Sequence, residues 1–413
     1  MRKRIFIAIH YLEIGGAEIS LIGLLQAIDY SKYDVSLFLY SHQGVLMKYI
    51  PKEVHLLPEI PAYAYIERPI KDALLAGQFK VVYGRLKARI QFKKYLKAKH
   101  PTDGSAVFSY VFKNVEPYLP SLEKFGQYDL AISFLTPHNI ILHKVDAKKK
   151  VAWIHTDYSK IDVDADMELP ILAGYNHLVS ISSDVTKNFL KVFPGLAGKI
   201  VEIGNILSPG FVRTRAKEFS IKRDYTTDFE RLETNGSLSL QLSTFNLLSV
   251  GRFSEAKNYD NVPNICHRLR DRGLDVNWYL IGYGGDEQLI REKIAEEGMN
   301  DHVIILGKKE NPYPYIKACD IYVQPSRYEG HSVTVREAQM LCKPVVVTNY
   351  ATAPSQVNSG TDGIIVPLDN AQCAEEIYNF VQNKPLQEKI IAYLESHDYG
   401  NIKEVEKVYQ LMK

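Results

Sequence analysis

The chain has 413 residues, of which 46% are hydrophobic, and this length favours two domains of about 200 residues each. Its formal net charge of +2 gives no case for nucleic-acid binding, because a duplex binder normally carries a basic domain. The four cysteines have spacings that match neither a disulfide framework nor a metal cluster, so we expect reduced, packed thiols.

The chain begins with a predicted strand, "IFIAI", which leads through "HYLEIGGAE" to a helix predicted from Ala17. Gly15 and Gly16 lie in the loop between them, where backbone amides could face an anion. The apolar run before His10 is too short for a signal-peptide core, and no segment approaches the roughly 18 apolar residues of a membrane helix. We therefore expect a cytoplasmic protein.

Short, nearly continuous apolar runs recur along both halves of the chain, with helical stretches mostly between them. This alternation predicts an α/β fold with parallel sheets that are covered on both faces, in two Rossmann-like domains. The runs begin at Ile5, Val35, Asp129, Val151 and His177 in the first half and at Phe245, Val276, Val303, Ile321, Pro344 and Gly363 in the second.

The predicted domains are residues 1–207 and 208–399. Residues 208–244 are polar and charged, as expected of a linker or a surface excursion. The last segment, about 400–413, has apolar residues at helical spacing, so we expect a helix that joins the first domain and docks across the domain junction.

A basic helical insertion is predicted at about 66–125. Within it, residues 73–102 carry eight Lys or Arg and no acidic residue until Asp103, and Val82, Leu86 and Ile90 share helical spacing. The segment could lie on anionic headgroups of the inner membrane surface and bring the protein to a lipid-linked acceptor. Alternatively, it packs on the first domain with its lysines merely solvated.

The segment "SVGRFSEAKN" places Gly251, Arg252 and Lys257 directly after a strand. Arg can fork two phosphate oxygens and Lys adds a compact charge, so the two cations suit a diphosphate, although an ordinary solvated pair has the same pattern. Further along, Gly282 follows another strand in "LIGYGGDE", where it allows close backbone approach to a ligand or simply a tight strand-to-helix turn.

Glu329 and Glu337 are eight residues apart in "PSRYEGHSVTVREAQM". Glu329 is predicted in the loop beyond a strand's carboxyl end, where open parallel sheets bind ligands, and Glu337 in the first turns of the next helix. The two carboxylates could converge on a sugar nucleotide. Alternatively, Thr334 and Glu337 form a capping box and Glu329 is merely exposed.

The glycine loop, "WIHTD", "SISSDV", "IGN", "VGRFSEAK", "IGYG" and the paired glutamates follow one another in this order. Because these motifs occur in this order, the chain resembles a retaining, Leloir-type glycosyltransferase of family 4. The resemblance extends from the first strand to about Leu368 and is strongest over residues 245–367. The resemblance implies the GT-B fold, with two Rossmann-like domains facing a central cleft. It also implies transfer of a sugar from a nucleoside-diphosphate sugar to a glycan or lipid-linked acceptor.

The resemblance also implies roles for single residues. Glu337 would bind the donor ribose and Glu329 the donor sugar, with Arg252 and Lys257 on the diphosphate. His155, in "WIHTD", would lie beside the transferred sugar. The catalytic group would then be His155, Glu329, Arg252 and Lys257, with no nucleophile assigned. The remaining donor-binding positions would be Gly15, Gly16, Gly251, Gly282, Lys308, Gly330, His331, Ser332 and Val333.

The chain departs from the commonest family pattern at His331 and Ser332, where Phe and Gly are frequent, and at Gln356, where many members have an acidic residue. These departures resemble bacterial capsule and exopolysaccharide transferases. Such enzymes generally need no divalent metal, and the sequence has no obvious DxD pair at a strand end. We expect no metal and no cofactor, and we interpret the acidic run at 162–166 as a solvated turn.

Two other classes of protein stay open. A catalytically degenerate sugar-nucleotide-binding scaffold would keep the fold and most of the pocket. A nicotinamide-dependent oxidoreductase would also have Rossmann-like halves, but the first strand leads to "HYLEIGGAE" and not to a G-x-G-x-x-G fingerprint.

Overall fold

The computed structural model describes residues 2–101, 104–159, 161–221, 244–330 and 332–413. They divide into two compact units, one formed by Met1–Leu207 with Asn401–Lys413 and the other by Ser208–Gly400. Two sequence predictions fall outside the described residues: the His331 position and most of the proposed linker, residues 222–243.

The described residues of the first unit form a seven-stranded parallel sheet in the order β3-β2-β1-β4-β5-β6-β7. The inner strands are almost fully buried, as their continuous apolar runs predict. The strands are β1 (Lys3–Ile9), β2 (Tyr33–Leu39), β3 (His55–Leu56), β4 (Tyr128–Ser133), β5 (Ala147–Ile154), β6 (His177–Ser180) and β7 (Ile200–Glu202).

The helices described in this unit are α1 (Gly16–Ala27), α2 (Pro61–Ala64), α3 (Ile70–Leu75), α4 (Phe79–Lys99), α5 (Val107–Val115), α6 (Asn139–Lys144), α7 (Ala165–Ala173), α8 (Ser183–Val192) and the C-terminal α17 (Val405–Gln410). The C-terminal helix packs on this unit. The Tyr409 ring stacks on Tyr33 at 4.1 Å, and its hydroxyl accepts a hydrogen bond from the Asp29 amide at 2.9 Å.

Helix α4 packs against α5 through a face of small side chains. A methyl group on Gly84 would lie 2.7 Å from the Asn114 carbonyl oxygen, so only glycine allows this approach. Val82 is buried on the inner side, whereas Leu86 and Ile90 are exposed. The three residues have the predicted helical spacing, but they differ in exposure, and of the three only Leu86 and Ile90 lie on the exposed side of α4.

The described residues of the second unit form a six-stranded parallel sheet in the order β10-β9-β8-β11-β12-β13. The strands are β8 (Phe245–Val250), β9 (Val276–Ile281), β10 (Val303–Gly307), β11 (Ile321–Gln324), β12 (Val345–Thr348) and β13 (Ile364–Val366). The helices are α9 (Pro209–Arg215), α10 (Val262–Asp271), α11 (Glu287–Glu296), α12 (Tyr313–Ala318), α13 (Val333–Met340), α14 (Ala353–Gln356), α15 (Asn370–Gln382) and α16 (Lys384–Ser396).

Both sheets have the doubly wound strand order. Successive strands are added on one side of the first strand of each unit, and later strands are added on its other side, so the strand order reverses there. The predicted α/β class with two Rossmann-like domains is confirmed. In such sheets, ligands bind outside the carboxyl ends of the strands on either side of the reversal. In the second unit these strands are β8 and β11, so we expect a ligand site in the loops that follow them.

Candidate functional site

The loops after β8 and β11 carry most of the residues predicted to bind a donor. These two strands are hydrogen-bonded neighbours, so Gly251 and Arg252 after β8 share the carboxyl edge of the sheet with Glu329 after β11. Arg252 is exposed and makes no hydrogen bond or ion pair with any described residue. Its guanidinium is therefore available to a ligand at this edge.

Glu329 is held by three side chains. The Lys257 ammonium contacts Glu329 Oε1, and the same oxygen accepts hydrogen bonds from Ser326 Oγ at 2.7 Å and Gln324 Nε2 at 3.0 Å. The side chains of Lys257 and Glu329 are only 19% and 11% exposed. The alternative in which Glu329 is merely an exposed carboxylate is therefore wrong, and the predicted cation and carboxylate meet in one place.

A second ion pair ties the two loops together. Arg327 forms a two-pronged pair with Asp260, at 2.9 and 2.6 Å, and its backbone amide donates to the Ala256 carbonyl at 2.8 Å. Asn258 adds a bond to the Pro325 carbonyl at 2.9 Å. Sequence reasoning missed these residues, because nothing in the pattern of a lone Arg, Asp or Asn indicates a partner about 70 residues away.

Gly282 lies at the end of β9, directly against the β8 loop. A methyl group built there would lie 1.9 Å from the Gly251 carbonyl oxygen. The glycine pattern predicted close approach to a ligand or a tight turn, whereas the close approach in the structure is between two strand ends of the protein itself, at Gly282 and Gly251.

We expect Gly282→Ala to lower the melting temperature by several degrees, because the backbone at Gly251 would have to shift to admit the methyl group. Gly285→Ala is the matched control, since a methyl group there meets nothing within 4 Å. Thermal unfolding of both variants tests the contact. Equal melting temperatures would contradict it.

Glu337 lies inside the second unit, 1% exposed, and its Oε1 accepts a hydrogen bond from the Tyr313 hydroxyl at 2.6 Å. Burial raises the pKa of Glu337 to about 7, against the lowering effects of Tyr313 and of the Arg215 charge. Helix α13 begins at Val333, and its cap residue Ser332 makes no side-chain capping bond. The predicted capping box of Thr334 and Glu337 is therefore absent.

The segment between the two glutamates is fixed by Gln356. Its Oε1 accepts from the Ser332 amide at 3.0 Å, and its Nε2 donates to the Ser332 carbonyl at 2.8 Å. An acidic residue at this position could not donate, so Gln356 suits the local chain path. Gly330 is half-buried before this anchor, and Val333 opens α13 after it.

Lys308 follows the end of β10. It is exposed, and its ammonium lies 5.3 Å from the centre of the Tyr283 ring, a cation–π distance. Gly307 before it has φ +69, which favours glycine.

In the first unit, Gly15 caps α1 and Gly16 is exposed, with nothing within 4 Å of a methyl group built on it. His155 follows β5 and packs against the Phe134 ring at 4.8 Å. Burial lowers its pKa to about 3, more strongly than the Asn205 side chain raises it. The imidazole is therefore neutral at pH 7, with a buried Nε2 that makes no hydrogen bond to any described residue.

Two further histidines at this edge escaped the sequence analysis. His10 follows β1, and its Nδ1 lies 2.5 Å from Glu67 Oε1, while His138 follows β4 and bonds Ser133 Oγ through Nδ1 at 2.8 Å. Each has a buried Nε2 without a hydrogen-bond partner in the described part of the chain. Burial, with smaller electrostatic effects of the neighbouring His155 and His10, lowers the pKa of His138 to about 3.

A cavity of about 430 Å³ opens beside His10 in this unit. It combines aromatic rings with hydroxyl, carboxylate and guanidinium groups, and its lining includes His10, Tyr11, Tyr40, Ser41, Glu67 and Arg68. Aromatic rings together with several polar groups suit a ligand with many hydroxyls.

The acidic run at 162–166 is not the solvated turn that the sequence predicted, because it runs into α7 and its Asp164 is half-buried. Asp164 accepts from the Met167 amide at 3.2 Å and so caps α7, and its other oxygen accepts from the Tyr110 hydroxyl at 2.7 Å. Among the described residues, no group of three or more His, Cys, Asp or Glu is placed to hold a metal ion. The same part of the chain has no helix long and apolar enough to cross a membrane.

Residues 233–397 match the family described as glycosyl transferases group 1. An uncharacterized 41.2 kDa protein in the cps region of Klebsiella pneumoniae is 30% identical over 162 residues, or 38% of this chain and 42% of that protein. The amylovoran biosynthesis glycosyltransferase AmsK of Erwinia amylovora is 29% identical over 139 residues, or 32% and 34% of the two chains. The matches thus span less than half the length of these curated relatives.

Two solved structures share the fold along the whole chain. Anabaena HepE, solved with UDP and glucose, has a TM-score of 0.64 at 15% identity and covers 99% of both chains. A TarM variant of S. aureus, solved with fondaparinux, alpha-GlcNAc-glycerol and UDP, has a TM-score of 0.64 at 12% identity and covers both chains completely. The chain has the GT-B fold and contains a group 1 glycosyltransferase domain.

Proposed function

We propose that this protein, whose residues 233–397 belong to the glycosyl transferases group 1 family, moves a sugar from a nucleoside-diphosphate sugar to an acceptor hydroxyl with retention of configuration. The observation that carries the proposal is the pair of Lys257 and Glu329 at the β8–β11 edge, where the exposed Arg252 has no partner among the described residues. We further propose a role in surface polysaccharide synthesis, as the names of AmsK and the cps-region protein suggest.

The donor diphosphate would lie against Arg252 and Lys257, and the donor sugar against Glu329. As the bond between the sugar and the diphosphate breaks, negative charge grows on the leaving oxygen, and the two cations stabilise it. The acceptor oxygen then bonds to the same face of the sugar carbon, and its proton passes to the leaving phosphate. No protein nucleophile, metal or cofactor enters this scheme, and we propose that none is needed.

Glu337 would accept the ribose hydroxyls of the donor. It is a buried carboxylate with a hydrogen-bonded partner in Tyr313, so its position is already set before the nucleotide arrives. Lys308 would lie by the base. In the first unit, the neutral His155 would face the transferred sugar as a hydrogen-bonding group, since an imidazole with a pKa of about 3 is uncharged at pH 7.

We propose that the acceptor is a glycan or a lipid-linked glycan, bound in the cavity beside His10 in the first unit. Aromatic rings such as Tyr11 can stack on sugar rings, and Glu67 can accept bonds from their hydroxyls. A working position at the cytoplasmic face of a membrane belongs to the same proposal.

Two alternatives make different predictions. A degenerate scaffold would bind sugar nucleotides without turnover, but the assembled set of Arg252, Lys257 and Glu329 supports an active enzyme. A nicotinamide-dependent oxidoreductase would bind NAD(H), although two cations at the strand edge suit a diphosphate leaving group better than hydride transfer.

A thermal-shift screen against UDP, GDP, ADP, CMP, their common sugar conjugates and NAD(H) tests the proposal. A ligand that binds only the native state adds about 2.7 kcal/mol to the free energy of unfolding when its free concentration is a hundred times its Kd. The melting temperature rises as a result. We expect a shift with one nucleoside diphosphate and its sugar conjugate, followed by release of that diphosphate on turnover. A shift with NAD(H) alone would overturn the assignment, and binding without turnover would favour the scaffold.

A further inference from the structure

Helix α4 presents an exposed apolar stripe to solvent. Phe79 is 66% exposed, Tyr83 59%, Leu86 45% and Ile90 60%. At 3.6 residues per turn these four positions fall within about 60° of one another around the helix axis. Just before them, Leu75 at the end of α3 is 79% exposed. Large apolar side chains gathered in this way on a surface mark an interaction site.

The opposite face of α4 is already used. Val81, Gly84 and Ala88 are buried on it, and the Arg85 guanidinium donates to the Tyr65 carbonyl at 3.0 Å and to the Arg68 carbonyl. The helix is thus fixed to the first unit by this side. The Tyr83 ring also contacts the Tyr118 ring, with their centres 5.9 Å apart, whereas the side chains of Phe79, Leu86 and Ile90 are directed to solvent. Because α4 already packs on the first unit through this other face, the exposed stripe is not needed to hold the helix on its own domain.

Positive charge surrounds the stripe. Lys80, Lys87 and Lys94 follow one edge of it, and Arg89 and Lys93 follow the other, with all five side chains exposed. Helix α4 contains no acidic residue. Apolar side chains that insert between lipid chains, flanked by cations at headgroup level, are the composition of an interfacial helix.

We propose that this face of α4, formed by Phe79, Tyr83, Leu86, Ile90 and the flanking bases, docks the protein on an anionic lipid bilayer. The charge favours this occupant over a second copy of the chain, because two such faces would bring like charges together. It also favours anionic over zwitterionic lipid, since each base near a negative surface adds to the attraction. The inference is independent of the proposed transfer reaction.

The test is sedimentation of the full chain with extruded vesicles, without donor or acceptor. We expect binding to vesicles of phosphatidylcholine with 30% phosphatidylglycerol, and at least tenfold weaker binding to phosphatidylcholine alone. The double variant Phe79→Ser/Ile90→Ser should bind the anionic vesicles at least tenfold more weakly than the wild type. Lys87→Gln/Lys94→Gln should weaken binding and reduce its dependence on salt.

Leu169→Ser/Leu289→Ser is the matched control. These leucines are 43% and 41% exposed and lie on α7 and α11, so the control removes two exposed apolar side chains that do not belong to α4. Its binding should equal that of the wild type. Melting temperatures and sedimentation velocity of each variant complete the measurement, because they report folding and self-association.

Three results would overturn the proposal. The first is no binding of the wild type to anionic vesicles, and the second is an equal loss of vesicle binding in the stripe and control variants. The third is a wild-type dimer in solution that becomes monomeric only in the stripe variant. The last would assign the stripe to a second copy of the chain. Because vesicle binding is measured without sugar nucleotides, its failure would leave the proposed transfer reaction standing.

Discussion

Replacing Lys257 with alanine should lower the rate of sugar transfer by roughly 10²–10³-fold, the loss typical of removing one group that stabilises transition-state charge. Lys257 contacts Glu329 in the ligand-free protein, and both side chains are largely buried. A diphosphate that enters between Lys257 and Arg252 would compete for this ammonium. The measurement is release of the nucleoside diphosphate from the sugar nucleotide that stabilises the protein.

The Lys257→Ala variant should still fold, since Glu329 keeps its bonds from Ser326 and Gln324. Lys293→Ala is the control, because Lys293 is a partly exposed lysine of the same unit whose ion pair with Glu296 lies on α11. It should leave the rate unchanged. A Lys257→Ala variant with normal turnover and normal stability would show that Lys257 only balances the charge of Glu329.

Replacing Glu337 with glutamine should weaken nucleotide binding by roughly 10–100-fold, because a hydrogen bond to a charged group contributes about 1.5–3 kcal/mol. Glutamine keeps the volume of the side chain and can still accept from Tyr313, so the fold should persist. Isothermal titration with the nucleoside diphosphate found in the screen measures the loss. Glu395→Gln, at an exposed position of α16, is the control.

The pH dependence of the same variant separates a ligand-binding carboxylate from a structural one. Burial raises the pKa of Glu337 to about 7 from its ordinary 4.5. Between these values the native state holds a proton that the unfolded state has lost, so this group lowers the free energy of unfolding as pH rises from about 4.5 to about 7. Above pH 7 its effect is constant.

Nucleotide affinity should change in the opposite direction. The charged carboxylate is the better acceptor for ribose hydroxyls, so affinity should rise as pH increases through 7. Both slopes should flatten in Glu337→Gln. Wild-type affinity in this variant, with the same pH profile, would refute the assigned role.

Much of the architecture could be predicted from periodicity. The inner strands are continuous apolar runs because helices cover both faces of each sheet, and most of them were found this way. Two short strands at the first sheet's edges, β3 and β7, were missed, since two or three residues contain no measurable period. The central cleft expected between the domains stays a prediction.

Helix α4 shows where periodicity alone fails. Val82, Leu86 and Ile90 have helical spacing, but a broad apolar surface has more than one such line of residues. The fit of Gly84 against Asn114 decides which line is buried, and it places Val82 inside and Phe79 and Tyr83 outside. The sequence could indicate a basic amphipathic helix, but not which apolar side chains stay exposed.

The sequence by itself determined most of the strands, their order along the chain, and the segments that carry Arg252, Lys257, Glu329 and Glu337, because burial and turns leave local patterns in residue type. Only the tertiary structure decided the partners of these residues. Lys257 and Glu329 are 72 residues apart, Tyr313 and Glu337 are 24, and His10 and Glu67 are 57. Such contacts depend on which strands become neighbours, and the depth of burial that raises the pKa of Glu337 follows from the same packing.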